Sequence, residues 1–346
     1  MTHTMTQQKI TIHEVAEAAG VSVTTVSLVL SGKGRISTAT SARVNQAIEQ
    51  LGYIRNRSAA VLRGAESGVI GLIVRDLSQP FYAAMTAGLS EVLEQQGKML
   101  VLTQSGHHGQ QLERCFASLV AQGVDGVILG GAPEQAEKWV AQAQEQGIAL
   151  VCAARASSLD QVDSLHPDNS QAARLATEYL IRKGHQRIAW IGGSTASLTR
   201  AERIGGYCAT LLQYGLPFRP EWIIECGDRQ PEVAAVTAQL LRQHPGITAI
   251  LAHNATVTLG CYFGALHSGR TLAEGAVGSY YSQQLALVGF NDDPQRELYD
   301  PALTFVSSGA REVGRRAGQR MLQRLAQPSG EVQTLIVPPL LLPGRA

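Results

Sequence analysis

The chain has little cysteine, little charge and no long apolar run. Its five cysteines, Cys115, Cys152, Cys208, Cys226 and Cys261, are scattered and odd in number, with no Cys-x-x-Cys pair and no histidine cluster beside them. A disulfide framework and a zinc site are therefore not expected, and buried free thiols are the default. No stretch approaches the roughly 20 apolar residues of a membrane span. Met1-Thr2-His3-Thr4-Met5 has neither the basic nor the apolar segment of a leader, so the protein is expected to stay in the cytoplasm, with no membrane partner. Catalytic signatures are missing as well. Gly192-Gly193-Ser194 and Gly130-Gly131 follow strand-like runs, but neither continues into the Lys-Ser/Thr of a phosphate loop or the full dinucleotide fingerprint. No enzyme, cofactor or metal is expected.

What is present begins near residue 10. Thr11 is placed to cap a helix, with Glu14 returning the bond and Ile10 packing on Val15. Ile12, Val15, Ala16 and Ala19 form an amphipathic stripe that Gly20 ends. Ser22 caps a second helix. Val26, Val29 and Leu30 give it a buried face and leave Val23, Thr24, Ser27 and Leu28 opposite. Two helices joined by a short glycine turn make a helix-turn-helix. Ser37 caps a third, with Val44, Ala47, Ile48 and Leu51 on one side and a stop at Gly52.

Taken alone, these stripes also fit a three-helix bundle without a ligand, but the flank points to nucleic acid. Residues 55–64, Arg-Asn-Arg-Ser-Ala-Ala-Val-Leu-Arg-Gly, are a short alanine-rich segment with arginines around one leucine. Residues 1–66 carry seven cationic side chains against four carboxylates, a net +3, whereas the whole chain is +1. The positive excess sits where phosphates would be neutralised.

With 346 residues, 45% apolar, the remainder is too long for one typical core, and two further lobes are expected. Strand-like runs at 69–74, 99–103, 126–129 and 149–153 alternate with helical stripes at 82–96, 110–122 and 134–146. The pattern restarts with helices at 170–183, 201–214, 231–242 and 255–268 between strands at 187–191, 223–225, 249–252 and 285–290. Such alternation predicts doubly wound parallel sheets in an α/β core, with ligands expected beyond the carboxyl ends of the strands.

The run Ile12-His13-Glu14-Val15-Ala16-Glu17-Ala18-Ala19-Gly20-Val21-Ser22, then Thr25-Val26-Ser27, Gly52-Tyr53-Ile54, Asn56-Arg57 and Gly184-His185-Gln186-Arg187-Ile188-Ala189 resemble the LacI/GalR family of bacterial transcriptional regulators. The likeness covers all but the first nine or so residues. It implies a two-lobed periplasmic-binding-protein-like core behind an all-α helix-turn-helix head. The implied division is an extension at 1–9, a head at 10–55, a hinge helix and linker at 56–67 and a core at 68–346. Lobe one would hold 68–166 and 294–327, including a helix at 310–325; lobe two would hold 167–293 and 328–343, including a last strand at 334–337. The three crossings would lie near Pro167, Asp293 and Pro328.

By the same resemblance, Val23 and Thr24 read bases, Thr25 and Ser27 hold phosphates and bases, and Asn56, Arg57 and Ala59 belong to the DNA-binding hinge, whose Leu62 enters the minor groove. Leu28 stands where most relatives have an arginine, so apolar contact, for example to a thymine methyl, replaces a guanine-reading fork. The implied effector residues are Asp76, Phe81, Tyr82, Arg155, Arg203, Asn254 and Asn291. Locally, Asp76 also fits a cap for the next helix, and Arg203 a surface pair with Glu202 or Glu178. Relatives commonly carry Asp where this chain has Ala255 and Asn291, with Asp292 as a candidate substitute. His185 reads as structural. The partners implied are a palindromic DNA operator, a second copy of the chain and a small sugar-like effector. A subgroup likeness in residues 26–40 and 197–212 implies control of maltose-type carbohydrate genes. A neutral sugar, a phosphorylated one, a non-sugar metabolite and no effector all stay open, as does a solute-binding protein without DNA function. No heptad pattern follows Pro343, so a tetramerising tail is not expected.

Overall fold

The computed structural model describes residues 10–31, 34–53, 66–106, 109–131, 136–154, 161–273, 283–292 and 303–344. The chain divides into two compact units, Met1–Ser67 and Gly68–Ala346.

The first unit holds α1 (Ile12–Ala19), α2 (Val23–Ser31) and α3 (Thr38–Leu51). The expected capping box is formed: the Thr11 side chain accepts from backbone and Glu14 accepts from the Thr11 N–H at 2.7 Å. Ser22 Oγ accepts from the Thr25 N–H at 3.1 Å and Ser37 Oγ from the Thr40 N–H at 3.2 Å, so all three helices start where a hydroxyl meets an orphan donor. Gly20 and Gly52 stop α1 and α3 in the left-handed region, at φ 60° and 64°. Val15, Ala16, Ala19, Val26, Val44 and Ala47 form the mini-core.

The second unit starts with β1 (Val69–Val74), α4 (Pro80–Gln95), β2 (Met99–Gln104), α5 (Gly109–Ala121), β3 (Gly126–Gly130), α6 (Ala136–Glu145), β4 (Ala149–Ala153) and β5 (Asp163–Pro167). There follow α7 (Asn169–Arg182), β6 (Ile188–Ile191), α8 (Leu198–Gln213), β7 (Ile223–Ile224), α9 (Gln230–Gln243), β8 (Ala249–Ala252), α10 (Ala255–His267), β9 (Thr271–Leu272) and β10 (Gln284–Phe290). The chain ends with β11 (Thr304–Ser307), α11 (Ala310–Ala326), β12 (Thr334–Val337) and β13 (Leu340–Leu342). One sheet has the order β12-β5-β4-β3-β1-β2; the other runs β13-β11-β10-β8-β6-β7, with β9 beside β10. Every pairing in named strands is parallel except β11 with β13.

β1 shows why both faces need cover. Ile70, Leu72 and Val74 point to α4 and α11, while Val69 and Ile73 point to Phe116, Leu119 and Trp139 of α5 and α6. The second sheet is likewise clad on both faces. α4 and α11 approach through small residues, and a Cβ added to Gly88 or Gly314 would run into the facing helix backbone.

Strand pairing corrects the expected lobes. The strand 334–337 is expected in lobe two, yet Thr334–Val337 pairs with Ser164–Pro167 and so completes the first sheet. Residues 304–307, expected in lobe one, pair with Val288–Phe290 in the second. The crossing expected near Pro167 lies between β5 and α7. The other two fall between β11 and α11 and between β12 and β13, later than Asp293 and Pro328. The displacement arises because β5, β11 and β13 have only 5, 4 and 3 residues, too few for a periodic signal. Helix α4 also starts two residues before the expected 82 and α8 three before 201, where Ser197 caps it.

Candidate functional site

In the head, the sequence offers α2 as the reading element. Thr24 is exposed, and Thr25, Ser27 and Leu28 are half-buried. The Thr25 hydroxyl lies 2.9 Å from Ser22 Oγ, which fixes its rotamer within the cap. Leu28 lies along Gly34, whose added Cβ would sit 3.4 Å from a Leu28 methyl. Val23, expected on the outward side, is half-buried and packs against the mini-core. Five of the nine residues of α2 are apolar, with Leu28, Val29 and Leu30 consecutive, so the helix has no clean boundary between its faces. Asn56, Arg57, Ala59 and Leu62 lie outside the described residues.

In the core, a cavity of about 710 Å³ opens at the carboxyl ends of the strands of both sheets. Asp76, Tyr82 and Asn254 line it, and a tight recess beside it is lined by Phe81, Arg203, Asn254 and Asn291. Six of the seven proposed effector residues thus meet around one cleft; Arg155 lies outside the described residues.

Arg203 is 4% exposed, so it is not the surface side chain of the local alternative. Its Nε donates to Asn169 Oδ1 at 3.1 Å, one terminal nitrogen to the His253 carbonyl at 2.5 Å and the other to Ser308 Oγ at 3.2 Å. Its guanidinium carbon stacks 4.1 Å from the centre of the Phe290 ring. Asn169 follows the first crossing by one residue and Ser308 opens the second, so one buried cation ties both connections to the cleft floor. Glu202 instead accepts from Asn169 Nδ2 at 2.8 Å.

Asn254 is held at both ends: its Oδ1 accepts from the Val257 N–H at 2.9 Å, capping α10, and its Nδ2 donates to Asp228 Oδ1 at 3.0 Å. Asp76 Oδ1 accepts from the Ser78 N–H at 2.9 Å, a local turn; the cap position of α4 is Gln79. Asn291 is buried. Asp292 lines the recess but accepts from the Ser307 hydroxyl at 2.9 Å and the Ala310 N–H at 3.4 Å, at the start of α11.

Several lining residues were not singled out from sequence. Arg75, Ser197, Thr199, Glu225, Asp228 and His253 all face the cavity. Their signal was positional, since each follows a strand end, but acids in a polar loop read as solvated. Two hydrogen bonds from Thr195, N–H at 2.7 Å and hydroxyl at 3.0 Å, hold the Glu225 carboxyl below its usual range. Burial pushes the Cys226 thiol up to about 11, with Asp228 adding to the shift, so this cavity-wall cysteine is a poor nucleophile. His185 is buried with Nδ1 3.1 Å from Thr248 Oγ1, at the opposite ends of β6 and β8 from the cleft. The five cysteines are free thiols. Among the described residues, no group of three His, Cys, Asp or Glu side chains is placed to hold a metal, and no helix is long and apolar enough to cross a membrane.

Residues 11–56 match the family described as bacterial regulatory proteins, lacI family, and residues 67–342 match periplasmic binding proteins and sugar binding domain of LacI family. The chain is 53% identical to the maltose regulon regulatory protein MalI of Escherichia coli (strain K12), over 97% of this chain and 98% of that one. Among solved structures, a lac repressor dimer bound to operator and the anti-inducer ONPF superposes with a TM-score of 0.82 at 25% identity, covering 98% of this chain and 99% of that one. A complex of the transcriptional regulator CelR with cellobiose gives 0.69 at 27%, covering 97% and 99%. A capped helix-turn-helix, a two-lobed parallel α/β core and matches along nearly the whole length agree: this chain is a DNA-binding transcriptional regulator rather than an enzyme, and it belongs to the LacI family.

Proposed function

We propose that the protein is a repressor of maltose-type carbohydrate genes that binds a palindromic operator as a homodimer in the cytoplasm and changes its affinity when a small sugar enters the cleft. The observation that carries this reading is the 710 Å³ cavity between two parallel sheets, in the same chain as a capped recognition helix. The 53% identity to a maltose regulon regulator supports the gene class. Two-fold symmetry supports the dimer: one head contacts few bases, whereas two heads about one helical turn apart match a palindrome.

The switch follows from linkage. A ligand that touches both lobes shifts the protein only by its preference for one arrangement over the other; a hundredfold preference corresponds to about 2.8 kcal/mol. Thr24, Thr25 and Ser27 supply polar contacts to the duplex, Val23 a partly buried apolar one, and Leu28 an apolar one. Asn56, Arg57, Ala59 and Leu62 supply the hinge contacts. Effector contacts come from Asp76, Phe81, Tyr82, Arg155, Arg203, Asn254 and Asn291. A selection of genomic fragments bound by the purified protein, with and without a panel of sugars, tests the whole reading, and a recovered palindrome upstream of carbohydrate genes is expected. In the same selection Leu28→Arg is expected to enrich guanine at the position it faces; an unchanged base preference would remove Leu28 from the interface.

A further inference from the structure

We infer that the cleft selects an uncharged sugar and rejects phosphorylated sugars, because most of its anion-binding positions are already engaged by the protein's own groups. This rests on the reading of the cleft as the effector site.

A phosphate monoester carries about 1.5 to 2 negative charges near neutral pH and is held by cationic forks, helix amino termini or backbone nests. Most of these are engaged by the protein itself in this cleft. The glycine-rich turn after β6 carries Gly192 and Gly193 at φ 98° and 81°. An anion already sits against it, because the Thr195 N–H and hydroxyl both point at the Glu225 carboxylate. The Gly192 N–H is given to the Ile224 carbonyl. Three helices begin at the cavity wall or its recess. α8 is capped by Ser197 on the Arg200 N–H at 3.3 Å and α10 is capped by Asn254, while α4 begins at Pro80, which removes one of its orphan donors.

The charges agree. Among the described residues, Asp76, Glu225 and Asp228 line the cavity against one cation, Arg75. Arg200 lies near Glu225 but turns its Nε to the Gly192 carbonyl, and Arg203 gives its nitrogens to three protein acceptors. A phosphate placed here would face three carboxylates, with Arg75 and the proposed contact Arg155 as the cations set against them. Sugar hydroxyls, which donate well to carboxylates, would meet acceptors instead. Asp228 is the position that sets this: Asn254 holds one of its oxygens and so orients the other, supplying the carboxylate that is absent at Ala255 and Asn291.

The test uses the full-length protein and its selected operator fragment. Fluorescence anisotropy of the operator and thermal melting are recorded with maltose, trehalose and cellobiose, and with maltose 6-phosphate and trehalose 6-phosphate. At least one uncharged disaccharide is expected to act, with its 6-phosphate about a hundredfold weaker or more. Asp228→Asn and, separately, Glu225→Gln are expected to narrow that gap by about tenfold each, the second by emptying the turn after β6. Both substitutions are near-isosteric, and melting of the unliganded variants shows whether each is folded. A phosphorylated sugar that acts as well as or better than its uncharged form overturns the inference while leaving the cleft as the effector site. Sugars of neither class acting would overturn the effector reading itself, and this inference with it.

Discussion

Arg203→Met keeps much of the side chain's length and apolar stem while removing the guanidinium, and its cost can be worked from the contacts. Three hydrogen bonds from a charged donor disappear, each worth roughly 1.5 to 3 kcal/mol, together with a buried cation–ring contact of about 1 to 2 kcal/mol. Against this, the buried charge no longer has to be desolvated, and a thioether on Phe290 is itself favourable. The net expected loss is roughly 3 to 5 kcal/mol, the range found when one partner of a buried charged network is removed. For a core of this size that is a fall in melting temperature of about 5 to 9 °C. Arg203→Lys is expected to lose less, because an ammonium keeps the charge and reaches one of the acceptors, though not the planar fork. Melting followed by circular dichroism, with sugar titrations on the folded variants, separates stability from response. A Met variant that melts within about 1 °C of the parent would refute the idea that this cation holds the two crossings together.

Three further substitutions test other parts of the fold. Gly314→Ala places a methyl against the Met85 carbonyl, which is backbone and cannot rotate away; a loss of about 3 kcal/mol in urea unfolding is expected, and an unchanged midpoint would contradict the close α4–α11 contact. Burial, with a smaller contribution from Lys183, pushes His185 down to about 4 from 6.5. Between those values the unfolded chain binds the extra proton, so the core should be fully stabilised above about pH 6.5 and weaken as pH falls toward 4. His185→Gln should flatten the His185 part of that dependence, and an unaltered profile would place it elsewhere. Thr11→Ala removes the hydroxyl half of the α1 capping box and is expected to cost the head about 1 kcal/mol, read from its unfolding transition.

Local chemistry was legible and long-range pairing was not. Thr11 with Glu14, Ser37, Gly20 and Gly52 act within four residues of themselves, so their positions in the sequence nearly determine what they do. The buried parallel strands of the first sheet announced themselves as apolar runs. β5 is Asp-Ser-Leu-His-Pro, with no strand signal, and its buried Asp163 is satisfied by Arg320 and Arg324, which reach it from α11 at 2.9 and 2.7 Å, and by the Gln333 N–H at 2.9 Å. Nothing near residue 163 encodes those partners. The same holds for β12, whose lobe is decided by its register against Ser164–Pro167. In the cleft, the motif residue Arg203 and the strand-end residues Asp76 and Asn254 were found. Their partners were not, and these alter what each can do: Asn254 is a bracket for Asp228, and Arg203 a clasp on two crossings.

Competition between a selected palindrome and bulk genomic DNA for the purified protein, at moderate salt and with sugar added or withheld, tests the central claim most directly. A preference for the palindrome of at least about a thousandfold, changed by one of the sugars, is expected of a regulator whose heads read bases and whose lobes respond to a ligand. Equal affinity for both DNAs, with or without sugar, would contradict it.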